Sequence, residues 1–84
     1  MIETTIQVQV KLYGLLRPHH PGPNRSLPVT VAVPAGATAR QVAEALNLPP
    51  KLTRLVFIND LQAGLDDLVQ ANDRVNFFTG VVGG

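Results

Sequence analysis

Residues 6–13 read Ile6-Gln7-Val8-Gln9-Val10-Lys11-Leu12-Tyr13. Apolar and polar residues alternate there without a fault. Ile6, Val8, Val10 and Leu12 fall on one face, and Gln7, Gln9, Lys11 and Tyr13 on the other. Period two is the pattern of a strand with one buried face. A strand with a full apolar face needs neighbours and a covering layer, so the rest of the chain must supply them.

Working outward, residues 14–26 hold three prolines and two glycines. Proline lacks a backbone donor and fixes φ, so this stretch is neither a helix nor a central strand. It reads as a loop with one helical turn around Leu15-Leu16. Residues 27–33 alternate again through Leu27, Val29, Val31 and Val33. Pro28 puts this strand at an edge or at its own beginning, and the pair suggests an antiparallel hairpin.

After a turn at 34–36 comes Thr38-Ala39-Arg40-Gln41. Thr and Gln three apart form a capping-box pattern, with Ala37 and Val42 as a small hydrophobic staple. A helix is predicted over 39–46 with Val42, Ala45 and Leu46 on its buried face. Asn47 suits a left-handed C-terminal residue, and Pro49-Pro50 forbid continuation. So short a helix is marginal alone and needs a sheet beneath it.

Residues 54–59 read as a third strand, buried through Leu55, Val56, Phe57 and Ile58. Asn59-Asp60 is a turn, and Leu61-Gln62-Ala63 a short strand. Residues 64–73 are turn-rich, with Leu65, Leu68 and Val69 as inward anchors. From Arg74 to Thr79 a last strand alternates Val75 and Phe77 against Asn76 and Phe78. The first and last strands each carry a full apolar face, so they lie centrally, side by side and parallel. One helix on one face of a four- or five-stranded mixed sheet is an α+β roll with the element order of the ubiquitin-like β-grasp. The predicted division is a domain over 1–79 and a flexible tail over 80–84.

Composition bounds the chemistry. The chain has 84 residues, a net charge of +1 and no cysteine. One domain of this size buries only about 60–65% of its unfolded surface, so the core is modest. Zinc-thiolate sites, disulfides and thiol nucleophiles are excluded. The seven basic residues are scattered, which argues against a nucleic-acid partner. No signal peptide and no membrane-length apolar run are visible, so a cytoplasmic location without membrane partners is the expectation.

Three features resemble sites and are better explained otherwise. His19-His20 lacks the convergent third ligand a metal needs, so no metal is expected. Asp66-Asp67 sits in a turn, where Asp bonds local amides. Ser26 has no evident base or triad, and no phosphate-cradling glycine loop is present. A self-contained enzyme is not expected.

The remaining feature is Gly83-Gly84 at the end of Asn76-Phe77-Phe78-Thr79-Gly80-Val81-Val82. A carboxylate becomes an electrophile when ATP converts it to an acyl-adenylate, and it must first reach a nucleotide in another protein's cleft. Glycine leaves no Cβ to block a narrow channel. Residues 80–84 span at most roughly 17 Å when extended. Ordering them costs about 5–10 kcal/mol, so a docking surface must exist elsewhere. Phe78, pointing off the core face, with Val81 and Val82, is the candidate surface.

Three stretches carry a family resemblance: V-K-L-Y-G-L-L-R at 10–17, V-P-A-G-A-T-A-R-Q-V-A-E-A-L at 33–46, and A-N-D-R-V-N-F-F-T-G-V-V-G-G at 71–84. Together they resemble the MoaD/ThiS family of ubiquitin-like sulfur carriers. The resemblance implies a β-grasp fold and a carrier role. It implies that a ubiquitin-activating-enzyme-like adenylyltransferase uses Mg-ATP to adenylate Gly84. A sulfur donor then converts the adenylate to a thiocarboxylate, with Gly83 giving clearance and no cofactor held by the carrier itself. The sulfur passes to a synthase large subunit in molybdopterin (molybdenum cofactor) biosynthesis or to a thiazole synthase in the thiamin branch. Phe77-Phe78 resembles the molybdopterin branch, whereas Thr79-Gly80 stands where that branch has proline and the loop at 18–28 is longer than in either. A carrier for another sulfur-transfer pathway, a ubiquitin-like modifier joined through Gly84 to other proteins, and a β-grasp interaction module with an inert tail are the alternatives.

Overall fold

The structure is a computed structural model, and it describes residues 4–22, 27–53 and 55–79. Five strands and one α-helix follow in the order β1 (Thr5–Leu12), β2 (Val29–Pro34), α1 (Ala39–Ala45), β3 (Leu55–Ile58), β4 (Leu61–Ala63) and β5 (Arg74–Phe78), with short 3-10 turns at Gly14–His19 and Pro50–Leu52. The sheet order is β2-β1-β5-β3-β4. β1 and β5 are parallel and central, with Gln9 opposite Arg74 and Leu12 opposite Phe77. The other pairings are antiparallel: β1 with β2 (Val8 opposite Val31), β5 with β3 (Phe77 opposite Val56), and β3 with β4 (Val56 opposite Ala63). This is the mixed, single-helix β-grasp that the alternating segments predict.

Register places the apolar residues together on one face. Val8 and Val10 of β1, Val75 and Phe77 of β5, and Val56 of β3 are essentially inaccessible, as is Val42 of α1 above them. Leu16, in the 3-10 turn after β1, is also fully buried while its neighbour Leu15 is 67% exposed. The six-residue 3-10 helix, longer than the one turn expected and containing Pro18, therefore plugs the open end of the core.

α1 has seven residues and survives because both ends are satisfied. Thr38 Oγ1 accepts from the Gln41 amide and the Gln41 side chain accepts from the Thr38 amide, closing the capping box. The amides of Ala39 and Arg40, which a helix leaves without partners, donate to the carbonyls of Asp67 and Leu65. At the other end Asn47 has φ 56°, its amide donates to Glu44 O, and Leu48 N–H reaches back to Ala43 O. That pair of bonds is a Schellman motif, and the buried Leu48 supplies its apolar contact.

Several details differ from expectation. The second strand begins at Val29, and Leu27 is 56% exposed, because Pro28 cannot enter the ladder with β1. Ala45 faces solvent; the buried stripe of α1 is Ala39, Val42 and Ala43. Leu68 is 61% exposed, leaving Val69 and the half-buried Leu65 as anchors of the 64–73 connection. In β3 only Val56 is fully buried, since a strand in a one-sided sheet presents alternate residues outward. Residue 54, placed in that strand by the sequence, lies outside the described residues.

Candidate functional site at the exit of the last strand

The chain leaves the sheet through Phe78 and Thr79. β5 ends beside the end of β1, and the Tyr13 amide donates to Phe77 O at 3.1 Å, one step beyond the regular parallel pairing. Strand alternation then turns Tyr13 and Phe78 onto the same uncovered face. Their rings stack with centroids 4.4 Å apart and planes 5° from parallel. Phe57 of β3 meets Phe78 edge-on at 5.4 Å and 77°. All three rings are half-buried, so they form an aromatic platform open to solvent on the side away from α1. Lys11 Nζ lies 5.8 Å from the Tyr13 ring centroid and gives the platform a cationic edge.

Beside the platform lies a shallow depression of about 340 Å³, lined by Gln9, Lys11, Tyr13, Pro28, Asp60, Arg74 and Asn76. Its wall is braced. The carboxylate of Asp60 accepts from Arg74 Nη2 at 3.0 Å. Asn59 uses both ends of its amide, donating to Asp73 Oδ1 and accepting from the Arg74 backbone N–H. Asn59 and Asp60 hold φ of 53° and 71°, the left-handed pair of a tight two-residue hairpin between β3 and β4.

The structure thus places Phe78 where the sequence put it, off the core face at the strand exit. Gly83, Gly84, Val81 and Val82 lie outside the described residues. Two members of the platform were not among the predicted residues. Tyr13 was legible, since a parallel first and last strand in the register Leu12 to Phe77 makes Tyr13 the neighbour of Phe78. Phe57 was hidden inside a four-residue apolar run, in which alternation cannot be seen.

The other polar candidates serve the fold. Gly22 N–H donates to His20 Nδ1 at 2.9 Å, so the other ring nitrogen, Nε2, carries the proton given to Leu27 O at 2.7 Å. His20 thereby ties together the two flanks of the proline-rich loop. Among the described residues no three His, Cys, Asp or Glu converge as metal ligands do. Asp67 Oδ2 accepts from the Gly64 amide, and Asp66 pairs with Arg40 at the surface. Ser26 lies outside the described residues. No helix among the described residues is long and apolar enough to cross a membrane.

No protein-family model matches the chain. No curated protein sequence matches it significantly. Solved structures do. The crystal structure of SAMP1 from Haloferax volcanii superposes with a TM-score of 0.67 and 25% identity, covering 93% of this chain and 99% of that one. A crystal structure of H. volcanii small archaeal modifier protein 1 gives 0.69 and 22%, over 90% and 99% of the two chains. A Pyrococcus furiosus protein provisionally described as molybdopterin converting factor, subunit 1, gives 0.67 and 17%, again over 90% and 99%. The chain has the ubiquitin-like β-grasp fold, and its structural neighbours include a small archaeal modifier and a protein described as a molybdopterin converting factor subunit.

Proposed function

We propose that this protein is a sulfur carrier, with residues 1–79 as the folded body and 80–84 as the reactive arm. Adenylation would join the Gly84 carboxylate to the α-phosphate of ATP and release pyrophosphate. Hydrosulfide released by the sulfur donor would then attack the acyl carbon; the C–S bond forms, the C–O bond to AMP breaks, AMP leaves, the S–H proton passes to solvent, and a thiocarboxylate remains. The observation that carries this reading is the delivery geometry. The last strand is central in the sheet and runs out at Phe78 onto an open aromatic platform, with Gly83-Gly84 five and six residues beyond. A partner docking on Tyr13, Phe57 and Phe78 would supply the binding energy the arm itself must consume in ordering. Val81 and Val82 would extend that contact.

The partners of such a carrier are an adenylyltransferase using Mg-ATP, a sulfur donor, and an acceptor synthase. The double aromatic Phe77-Phe78 favours a molybdopterin synthase large subunit as acceptor over a thiazole synthase. A second reading has its own support: the similarity to small archaeal modifier protein 1 favours conjugation of Gly84 to amines of other proteins. Both readings share the adenylate and need a free carboxylate on Gly84. Intact-mass spectrometry of the protein with ATP, a sulfur donor and an activating enzyme from the same organism tests them. Replacement of one terminal oxygen by sulfur is the expected result, and the same spectrum establishes whether Gly84 bears the carboxylate. An unmodified mass, with an activating enzyme shown to work on its own carrier, would overturn the proposal. Isopeptide-linked ladders without a thiocarboxylate would move it to the modifier reading.

A further inference from the structure

Gly14 sits at the junction of β1 and the first 3-10 turn with φ +63°. A Cβ added there would lie 2.7 Å from Thr79 Oγ1, 3.6 Å from its Cγ2 and 3.7 Å from its Cβ. Its neighbour Tyr13 stacks on Phe78, and the Tyr13 amide holds Phe77 O. Phe77 and Phe78 are therefore held by Tyr13, and Thr79 lies where only the absence of a side chain on Gly14 leaves it room. Thr79 is the last residue before the arm, and its β-branched side chain is stiff about χ1. Gly14 leaves room for that side chain, and the backbone of residue 79, held through Phe77 and Phe78, is the point from which the chain departs.

We infer that Gly14 is a positioning residue for the arm: its missing side chain seats Thr79 and so sets where residues 80–84 leave the domain. The inference rests on residues 80–84 being the reactive arm. An activating enzyme would grip the aromatic platform and receive the arm in its cleft. Displacing the departure point should then leave docking unchanged and misplace the carboxylate at the nucleotide.

The test compares Gly14→Ala, Thr79→Ala and the double variant in the full chain, using pyrophosphate release by the activating enzyme and backbone NMR spectra. Gly14→Ala puts Cβ 2.7 Å from Thr79 Oγ1, so something must shift, and the inference requires residue 79 itself to be displaced rather than only its hydroxyl turned aside. Adenylation kcat should fall on the order of 10²-fold while KM for this protein stays within about twofold. Thr79→Ala should behave as wild type. The double variant leaves the two Cβ atoms at an ordinary 3.7 Å and should recover most of kcat. Gly14→Asn guards against a folding defect, because asparagine already adopts positive φ at positions 47, 59 and 72 of this chain, yet its Cβ meets the same hydroxyl. The residue-79 amide resonance should move in Gly14→Ala and Gly14→Asn relative to wild type, and in the double variant should stay where Thr79→Ala alone has it. Wild-type kcat and an unmoved Thr79 resonance in both single Gly14 variants would overturn the inference, showing that Thr79 simply rotates aside. A double variant as impaired as Gly14→Ala would also overturn it. A wild-type chain that is never adenylated would overturn the carrier reading alone, and the NMR spectra would still decide whether Gly14 seats Thr79.

Discussion

Phe77 and Phe78 are adjacent and identical in type, yet they should fail in opposite ways when truncated. Phe77 is fully buried, opposite Leu12 on one side and Val56 on the other. Phe77→Ala leaves a cavity in the centre of the sheet and costs about 3–5 kcal/mol. An 84-residue domain has roughly 4–12 kcal/mol in total, so about a quarter of the margin or more disappears. At about 4–8 °C per kcal/mol, the melting temperature should fall by at least ~12 °C. Phe78 loses instead its stack on Tyr13 and its edge contact with Phe57, about 0.5–1.5 kcal/mol each. Phe78→Ala, at about 1–3 kcal/mol, should therefore lower the melting temperature by roughly half as much. It should raise KM with the activating enzyme by ~30-fold or more, as removal of an aromatic anchor worth about 2 kcal/mol does. Thermal melts by circular dichroism and pyrophosphate-release kinetics measure the two effects. Equal destabilisation by both substitutions would refute the assignment of faces. An unchanged KM for Phe78→Ala would refute the platform as the docking surface.

Other perturbations follow from the same geometry. Val10→Asp places an unpaired carboxylate at a fully buried position of the central strand and should abolish the cooperative melt. A sharp transition in that variant would mean that the face is not sealed. Thr38→Ala removes the cap of a seven-residue helix and should cost about 1 kcal/mol, read as a drop of some 4–8 °C. No change on chemical or thermal denaturation would show the capping box to be idle. Gly84→Ala should leave the melting temperature where it is and reduce adenylation; a loss of several degrees would mean that residue 84 packs on the domain.

The sequence shows this fold where one physical signal dominates. Alternation in 6–13 and 74–79 identified the two central strands, and Thr38, Gln41 and Asn47 marked both ends of the helix. Signals fail where two of them overlap. Leu55-Val56-Phe57-Ile58 is apolar throughout, which conceals that Phe57 faces outward to Phe78. Leu27 continues an alternating pattern and is expelled by the proline beside it. Leu68 looks like an anchor, but the bridge between Thr38 and Leu68 fixes the local backbone so that Val69 takes the inward position. The seat of Thr79 on Gly14 joins residues 65 apart in sequence and no local pattern announces it.

The parallel pairing of β1 with β5 bears on how the protein is made. During synthesis the first strand emerges early, and its hairpin with β2 soon afterwards. The strand that completes the sheet centre, and with it the largest fully buried side chain, Phe77, is the last of the five to appear. Until then β1 has one unpaired edge. At ~5–20 residues per second the interval between β2 and β5 lasts a few seconds. Closing so long a loop is entropically costly and slows the final step. The nascent chain should therefore be most vulnerable to proteases and to aggregation just before β5 docks. Any truncation upstream of Phe77 should yield a chain without a centre, one that is degraded rather than merely inactive.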